Sequence, residues 1–139
     1  MDASYAIHEN LKSHSACNLS IGDAAFVSNN STGQSIITKS STEAELVCVS
    51  DNANRLIHLV GFMTAQGHKQ HAAIIYQDNM SSMALLQKGR STSTKSKHIA
   101  VRFFWIKEQL DSGLVQLQFR PTAMMGPANL LTKPLQGAQ

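Results

Sequence analysis

The sequence predicts an α/β domain in which a mixed β-sheet carries helices packed upon it. Two observations support this. Three stretches with strand patterning open the chain before any helical period appears, which suits an antiparallel meander. From residue 40 onward the order becomes helix, strand, helix, helix, strand, helix, which suits parallel additions to that meander. At 139 residues, with 42% hydrophobic and 15% charged residues and three prolines, the composition is globular and large enough for a core. No repeat or second domain is visible, so residues 1–139 read as a single domain.

The elements follow in order. Residues 3–7 end a first strand. CNLSI (17–21) and AAFVS (24–28) alternate on either side of a turn at Gly22–Asp23 and read as a hairpin. NNSTGQS (29–35) is polar and reads as a loop. SSTEAELVCVSDNANRLIHLVGFMTAQG (40–67) reads as a long helix, started by a Ser40/Glu43 capping box and stopped at Gly67. Its stripe is Leu46, Val49, Ala53, Leu56, Val60 and Met63.

A strand at 72–77 follows, apolar in its centre, and then a short helix from Asn79 to Leu86. KGRSTSTKSK (88–97) reads as a polar loop. HIAVRFFWIKEQLD (98–111) is a helix with the stripe Ile99, Phe103, Ile106 and Leu110, closed by Ser112–Gly113. Phe104 and Trp105 read as core or helix-packing residues rather than platforms for base stacking. LVQLQFR (114–120) alternates as a strand, and a last short helix starts near Gly126–Pro127.

Several functional classes recede. No apolar run is long enough to span a bilayer, and MDASYAIHEN lacks the pattern of a secretory signal. Cys17 and Cys48 fit no metal or redox spacing and read as buried thiols in a reducing compartment. The Asn-x-Ser/Thr matches at Asn18, Asn29, Asn30 and Asn79 then read as chance, and His68 and His71 as surface histidines.

Charge is unevenly distributed. Residues 1–78 hold four Lys/Arg against seven Asp/Glu, net −3, while residues 79–139 hold eight against two, net +6. An acidic half beside a basic half suggests cations bound by one and a polyanion by the other.

Carboxylates sharpen this. Asp78 stands where a buried strand ends and a helix begins, the edge at which open α/β sheets place ligands. From position alone, capping of the following helix is favoured over a ligand role. At 100° per residue, Glu45 lies within about 50° of the centre of the long helix's apolar stripe, whereas Glu43 lies more than about 100° away. Glu45 therefore leans toward the sheet, and Asp2 stands on the first strand. Convergent carboxylates at about 4 Å repel by roughly 4 kcal/mol per pair at an effective dielectric near 20. Protons or divalent cations relieve that, and an all-oxygen ligand set favours magnesium or manganese. Two such ions suit phosphodiester hydrolysis.

DASYA (2–6), TKSSTEAELV (38–47), YQDNMSS (76–82), GRSTSTKSKHIAVRFFWIKEQLDSGLVQLQF (89–119) and LLTKPLQG (130–137) closely resemble, in order, the ribonuclease H domain of copia-type LTR retrotransposon polyproteins. The resemblance implies a ribonuclease H-like fold, a five-stranded mixed sheet with helices on both faces, here with its first strand truncated. It implies endonucleolytic cutting of the RNA strand of RNA–DNA hybrids during reverse transcription, with two Mg2+ or Mn2+ ions and a 5′-phosphate on the downstream product. The family's first three carboxylates map onto Asp2, Glu45 and Asp78, so a metal role for Asp78 outweighs capping. The family's fourth aspartate falls on Asn129, an amide that keeps an acceptor oxygen but loses a charge and holds a second ion more weakly. Met1 precedes Asp2 directly, and SACNLSIGDAAFVSNNSTGQS matches the family loosely. The chain accordingly reads as a fragment or eroded copy of an element.

In the basic half, Lys88, Arg90, Lys95, Lys97 and His98 lie among hydroxyl residues, and Arg102 and Lys107 extend the series along the next helix. Such a loop contacts phosphates without reading sequence, as recognition of a hybrid requires. His98 reads as a capping or phosphate-contacting residue rather than a proton shuttle. Expected partners are an RNA–DNA hybrid and a reverse transcriptase domain, with no membrane and no small-molecule substrate. The expected location is cytoplasmic retrotransposon particles or the nucleus. Two alternatives stand beside the nuclease: a non-catalytic remnant that binds hybrid or duplex, and a structural module that docks on a reverse transcriptase domain.

Overall fold

The structure, a computed structural model, describes residues 1–22, 26–88 and 97–133, and only the backbone of Phe26, Lys88, Lys97, His98 and Pro127. The elements are β1 (Asp2–Ser4), β2 (His14–Ser20), β3 (Phe26–Gly33), α1 (Ser41–Ala65), β4 (Ala73–Gln77), α2 (Met80–Lys88), α3 (Lys97–Asp111), β5 (Val115–Phe119) and α4 (Pro127–Thr132). A 3-10 turn at Thr122–Met124 precedes α4. The expected order of strands and helices holds throughout the described residues.

The longest element is α1, and its start is set by hydrogen bonding. Ser40, in extended backbone conformation, accepts the Glu43 N–H on its side chain. The Glu43 carboxylate reaches back one residue further than a capping box would, to the N–H of Lys39 (2.7 Å). Leu46, Val49, Ala53 and Leu56 of the expected stripe are buried, as are Val47 and Cys48 beside them, so the first half of α1 is enclosed on more than one side. Val60 and Met63 are half-buried, because the last turns extend past the strands.

β1, β2 and β3 form an antiparallel sheet in that order, and β4 and β5 form a parallel pair. The directions are mixed, as expected, but hydrogen bonding divides the five strands into two groups. β1 has three residues, too few for a ladder along β4, and the link is one bond from the Met1 amino nitrogen to Tyr76 O (3.1 Å). α1 packs on β1, β2 and β4 and against α2 and α3. Cys17 and Leu19 of β2 join this core, which also holds Ile75, Leu86, Ile99, Phe103, Ile106 and Val115. Ala16 points to the opposite face yet is fully buried, and α4 packs against β1, β2 and β3 there, so helices cover both faces.

Three readings of the sequence need correction. The first strand, expected over 3–7, ends at Ser4, because Tyr5 and Ala6 turn the chain and Ala6 takes a positive φ of 49°. The stretch 29–33, expected as loop, continues β3: Ala16 pairs with Ser31 and Cys17 with Asn30. An edge strand tolerates this polarity because its side chains find partners. Asn30 donates to Asn52 of α1 (3.0 Å), and just beyond the strand Gln34 donates to Ser15 Oγ and Ala44 O. Phe104, expected as a core or helix-packing residue, is 58% exposed, whereas its neighbour Phe103 is 1% exposed. The stripe through Ile99, Phe103 and Ile106 sets the buried face of α3, and the next residue is turned about 100° away from it. No helix among the described residues is long and apolar enough to cross a membrane.

These exposures set a contrast in stability. Phe103→Ala should cost about 3–5 kcal/mol, and Phe104→Ala less than about 1 kcal/mol, measured as the shift in urea midpoint at constant slope.

Candidate metal centre

Three carboxylates from distant parts of the chain meet beside the division between the two sheets. Asp2 lies on β1, Glu45 in the buried half of α1, and Asp78 just after β4. Each offers an oxygen within 4.8 Å of the others. Asp2 and Glu45 are nearly closed off, 7% and 5% exposed, while Asp78 is half-buried and forms the open side.

Hydrogen bonds hold each group. The backbone N–H of Ala3 donates to Glu45 Oε1 (3.1 Å), and Gln77 Nε2 donates to Glu45 Oε2 (2.5 Å). Thr132 Oγ1 of α4 donates to Asp2 Oδ2, and Thr122 Oγ1 donates to Asp78 Oδ2 (2.7 Å). The thiol of Cys48 donates to the Asp2 carbonyl, fixing the backbone that carries the carboxylate. Burial pushes the Cys48 thiol up to about 12 and also raises Cys17, so both are inert thiols, as the sequence predicts.

Burial is also the main reason the Glu45 carboxyl is pushed up to about 7. The bonds from Gln77 and Ala3 oppose that rise, and the charges of Asp2 and Asp78 add to it. The cluster has no basic side chain paired to it among the described residues.

The cap at the β4–α2 junction is Asn79 rather than Asp78. Asn79 Oδ1 accepts the N–H of Ser82 (3.0 Å) and the Asn79 carbonyl accepts the N–H of Met83. Asn79 is thus the cap of α2, leaving Asp78 free to face the other carboxylates.

The remaining predicted residues divide into groups. Asn129 is half-buried on α4, and its carbonyl accepts from Thr132, the residue that holds Asp2. Asn129 thus lies on the helix that touches the cluster. Arg102 is ion-paired with Asp51 (3.0 Å), six residues beyond Glu45 and about 120° round the helix, so it is not beside the carboxylates. Lys107 pairs with Asp111. Arg90 and Lys95, and the side chains of Lys88, Lys97 and His98, lie outside the described residues.

Gln77, Thr122 and Thr132 escaped the sequence reading. Gln77 had a signal: a polar residue in phase with the buried Ile75, wholly buried itself, requires a polar partner. The two threonines had none, because their roles depend on where the chain returns after β5.

The donor set can be tested against a cation. It is entirely carboxylate oxygen, compact and, among the described residues, unpaired by basic side chains. That composition fits a hard divalent ion, and Asp2, Glu45 and Asp78 would be its ligands. What fold and site define is an α/β domain with an acidic triad able to hold metal. Comparison with known proteins adds a lineage. Over 100 residues, 72% of the chain, it is 30% identical to the retrovirus-related Pol polyprotein from transposon TNT 1-94 of Nicotiana tabacum. Over 100 residues, 71% of the chain, it is 32% identical to the retrovirus-related Pol polyprotein from transposon RE2 of Arabidopsis thaliana. Its homologues are thus Pol polyproteins of plant transposons, and the chain spans 7% of the length of each. No family model matches the chain, and no solved structure gives a significant match.

The Glu45 carboxyl makes stability depend on pH. Its value of about 7 in the folded protein exceeds the ordinary 4.5, so the folded state holds that proton more tightly. The resulting stability is full below about pH 4.5 and is lost as pH rises through about 7, to the extent of about 3 kcal/mol. In chelator, urea unfolding of the wild type should show this loss, and Glu45→Gln should remove it. Millimolar magnesium should restore stability to the wild type above about pH 7.

Proposed function

We propose that this chain is a ribonuclease H-type nuclease of retrotransposon origin, cutting the RNA strand of RNA–DNA hybrids with two magnesium or manganese ions. The observation that carries this reading is the convergence of Asp2, Glu45 and Asp78 within 4.8 Å with no basic side chain paired to them among the described residues. Its kinship with Pol polyproteins of plant transposons supports the biological setting.

Divalent ions bound there would supply Lewis-acid activation of water and stabilisation of the departing oxygen. The chain's own residues supply position. Asp2, Glu45 and Asp78 would hold the ions, while Gln77, the Ala3 N–H, Thr132 and Thr122 orient their carboxylates. Asn129 would be a neutral ligand at the second ion, so catalysis is weakened relative to a chain with aspartate there. Lys88, Arg90, Lys95, Lys97 and His98 would contact the phosphates of the hybrid, and Arg102 would join them only by leaving Asp51.

Asn129 favours a second reading, a remnant that binds hybrid without cutting it. Cleavage of an end-labelled hybrid separates the two. With magnesium, Asp78→Asn should lower the rate at least about 100-fold and Asn129→Asp should raise it about tenfold. Affinity for the hybrid should fall steadily with added salt. Equal cutting by the wild type and Asp78→Asn would eliminate the enzyme, and affinity insensitive to salt would eliminate the basic interface.

A further inference from the structure

Two histidines meet where the loop after β1 returns to β2. His8 Nε2 lies 3.0 Å from His14 Nδ1, and the ring centroids are 5.2 Å apart. The loop is shaped to bring them together. Leu11 N–H donates to His8 O (2.8 Å) and His8 N–H to Lys12 O (3.2 Å). Ala6 and Leu11 take left-handed φ values of 49° and 59°, a costly conformation away from glycine. Gly33, which pairs with His14 in the sheet, leaves space for the incoming ring: a Cβ there would stand 3.4 Å from His8 Nε2.

Hydrogen bonding assigns the protons. Ser31 Oγ donates its one hydrogen to Leu131 O (2.9 Å), so it accepts from His14 Nε2–H (2.8 Å). The Nδ1 of a neutral His14 is then a bare lone pair, directed at His8 Nε2. His8 presents a second lone pair there once its own hydrogen moves to Nδ1, with no net proton released. Two convergent imidazole nitrogens, one of them with its remote N–H held by a hydroxyl, are the ligands and supporting bond of a transition-metal site. Nitrogens bound tetrahedrally at about 2.0–2.1 Å lie roughly 3.3 Å apart, so the rings have only to swivel. A cavity of about 540 Å³ adjoins His8, with Glu9 and Lys12 of opposite charge on its walls, and leaves room for coordinated water.

We propose that His8 and His14 bind a borderline divalent ion such as zinc, completed by water, which clips the β1–β2 loop to β2. Imidazole suits zinc, copper and nickel, whereas the carboxylate triad suits magnesium, so the two sites select different ions. Burial and the neighbouring His8 hold the His14 imidazole below its usual range, which keeps it unprotonated and able to ligate near neutral pH. The clip reaches further than the loop. Ser31 passes the His14 contact to Leu131 of α4, next to Thr132, the residue that holds Asp2. This site stands independently of the nuclease reading.

The test is titration of the full chain with zinc chloride. The imidazole NMR signals of His8 and His14 should shift before those of His68 and His71, and the melting temperature should rise with zinc. His8→Ala and His14→Ala should each weaken zinc binding at least about 30-fold, and Ser31→Ala about tenfold through loss of the supporting bond. His8 lies in a loop, so its variant decides the matter even where removing His14 from β2 disturbs the fold. Asp78→Asn should bind zinc at this site as the wild type does. Unchanged zinc affinity in His8→Ala, or earlier shifts at His68 and His71, would overturn the proposal. So would binding that is lost in Asp78→Asn and kept in His8→Ala, which would assign the ion to the carboxylates.

Discussion

Mutual repulsion among three carboxyl groups held within 4.8 Å constrains much of the remaining structure. Left ionised and unpaired, such groups would push apart, so each must be fixed by something stiffer than its own side chain. Glu45 is fixed by α1, whose surrounding turns are buried through Val47, Cys48 and Val49. Asp78 follows a strand paired along its length with β5. The fold therefore opposes the repulsion with packing energy from elsewhere, and a proton on Glu45 or a bound cation relieves what remains. Proton and cation compete for the same charge, which links acidity, metal affinity and stability in one group.

Asp2 has the weakest support from secondary structure. β1 is three residues long, and it must meet β2 on one side and β4 on the other. Contacts from outside the sheet compensate: the Cys48 thiol on the Asp2 carbonyl and the Thr132 hydroxyl on its carboxylate. Thr132 makes α4, a helix of six residues, part of the site's scaffold even though none of the triad lies on it.

Most elements were legible because period and capping act locally. The stripe from Leu46 to Leu56, the Ser40 cap and the Pro127 start of α4 all depend on residues a few positions apart. Of the site, Glu45 was legible from helical phase, whereas the position of Asp78 at a strand end favoured a capping role and only the resemblance pointed to metal. What was not legible depends on distant partners. Asn29 to Gly33 form a strand only because β2 lies beside them, and the amide nitrogens of Asn30 and Gln34 find acceptors on α1 only because that helix packs above. Phe103 and Phe104 differ by one step of a helix whose exact rotation is set by α1, so periodicity favoured the right face without excluding its neighbour. Thr122 and Thr132 could not be read at all, since each serves a carboxylate far away in the chain.

The junction after β4 shows how the sequence divides two demands between adjacent residues. A helix start needs an acceptor for its free N–H groups, and an aspartate would serve. An aspartate committed to that task would have an oxygen occupied and its carboxylate turned toward α2. Asn79 takes the task instead with a neutral amide, and Asp78 keeps its charge and turns toward Asp2 and Glu45. The hydroxyl that Asp78 does accept, from Thr122, comes from beyond β5, and among the described residues its other oxygen accepts no side-chain hydrogen bond. Gln77 completes the arrangement one residue earlier, donating to Glu45 from within the strand. Three consecutive residues thus orient one carboxylate, supply another and cap a helix. That is why a charged group can stand where a buried strand ends without being spent on the helix that follows.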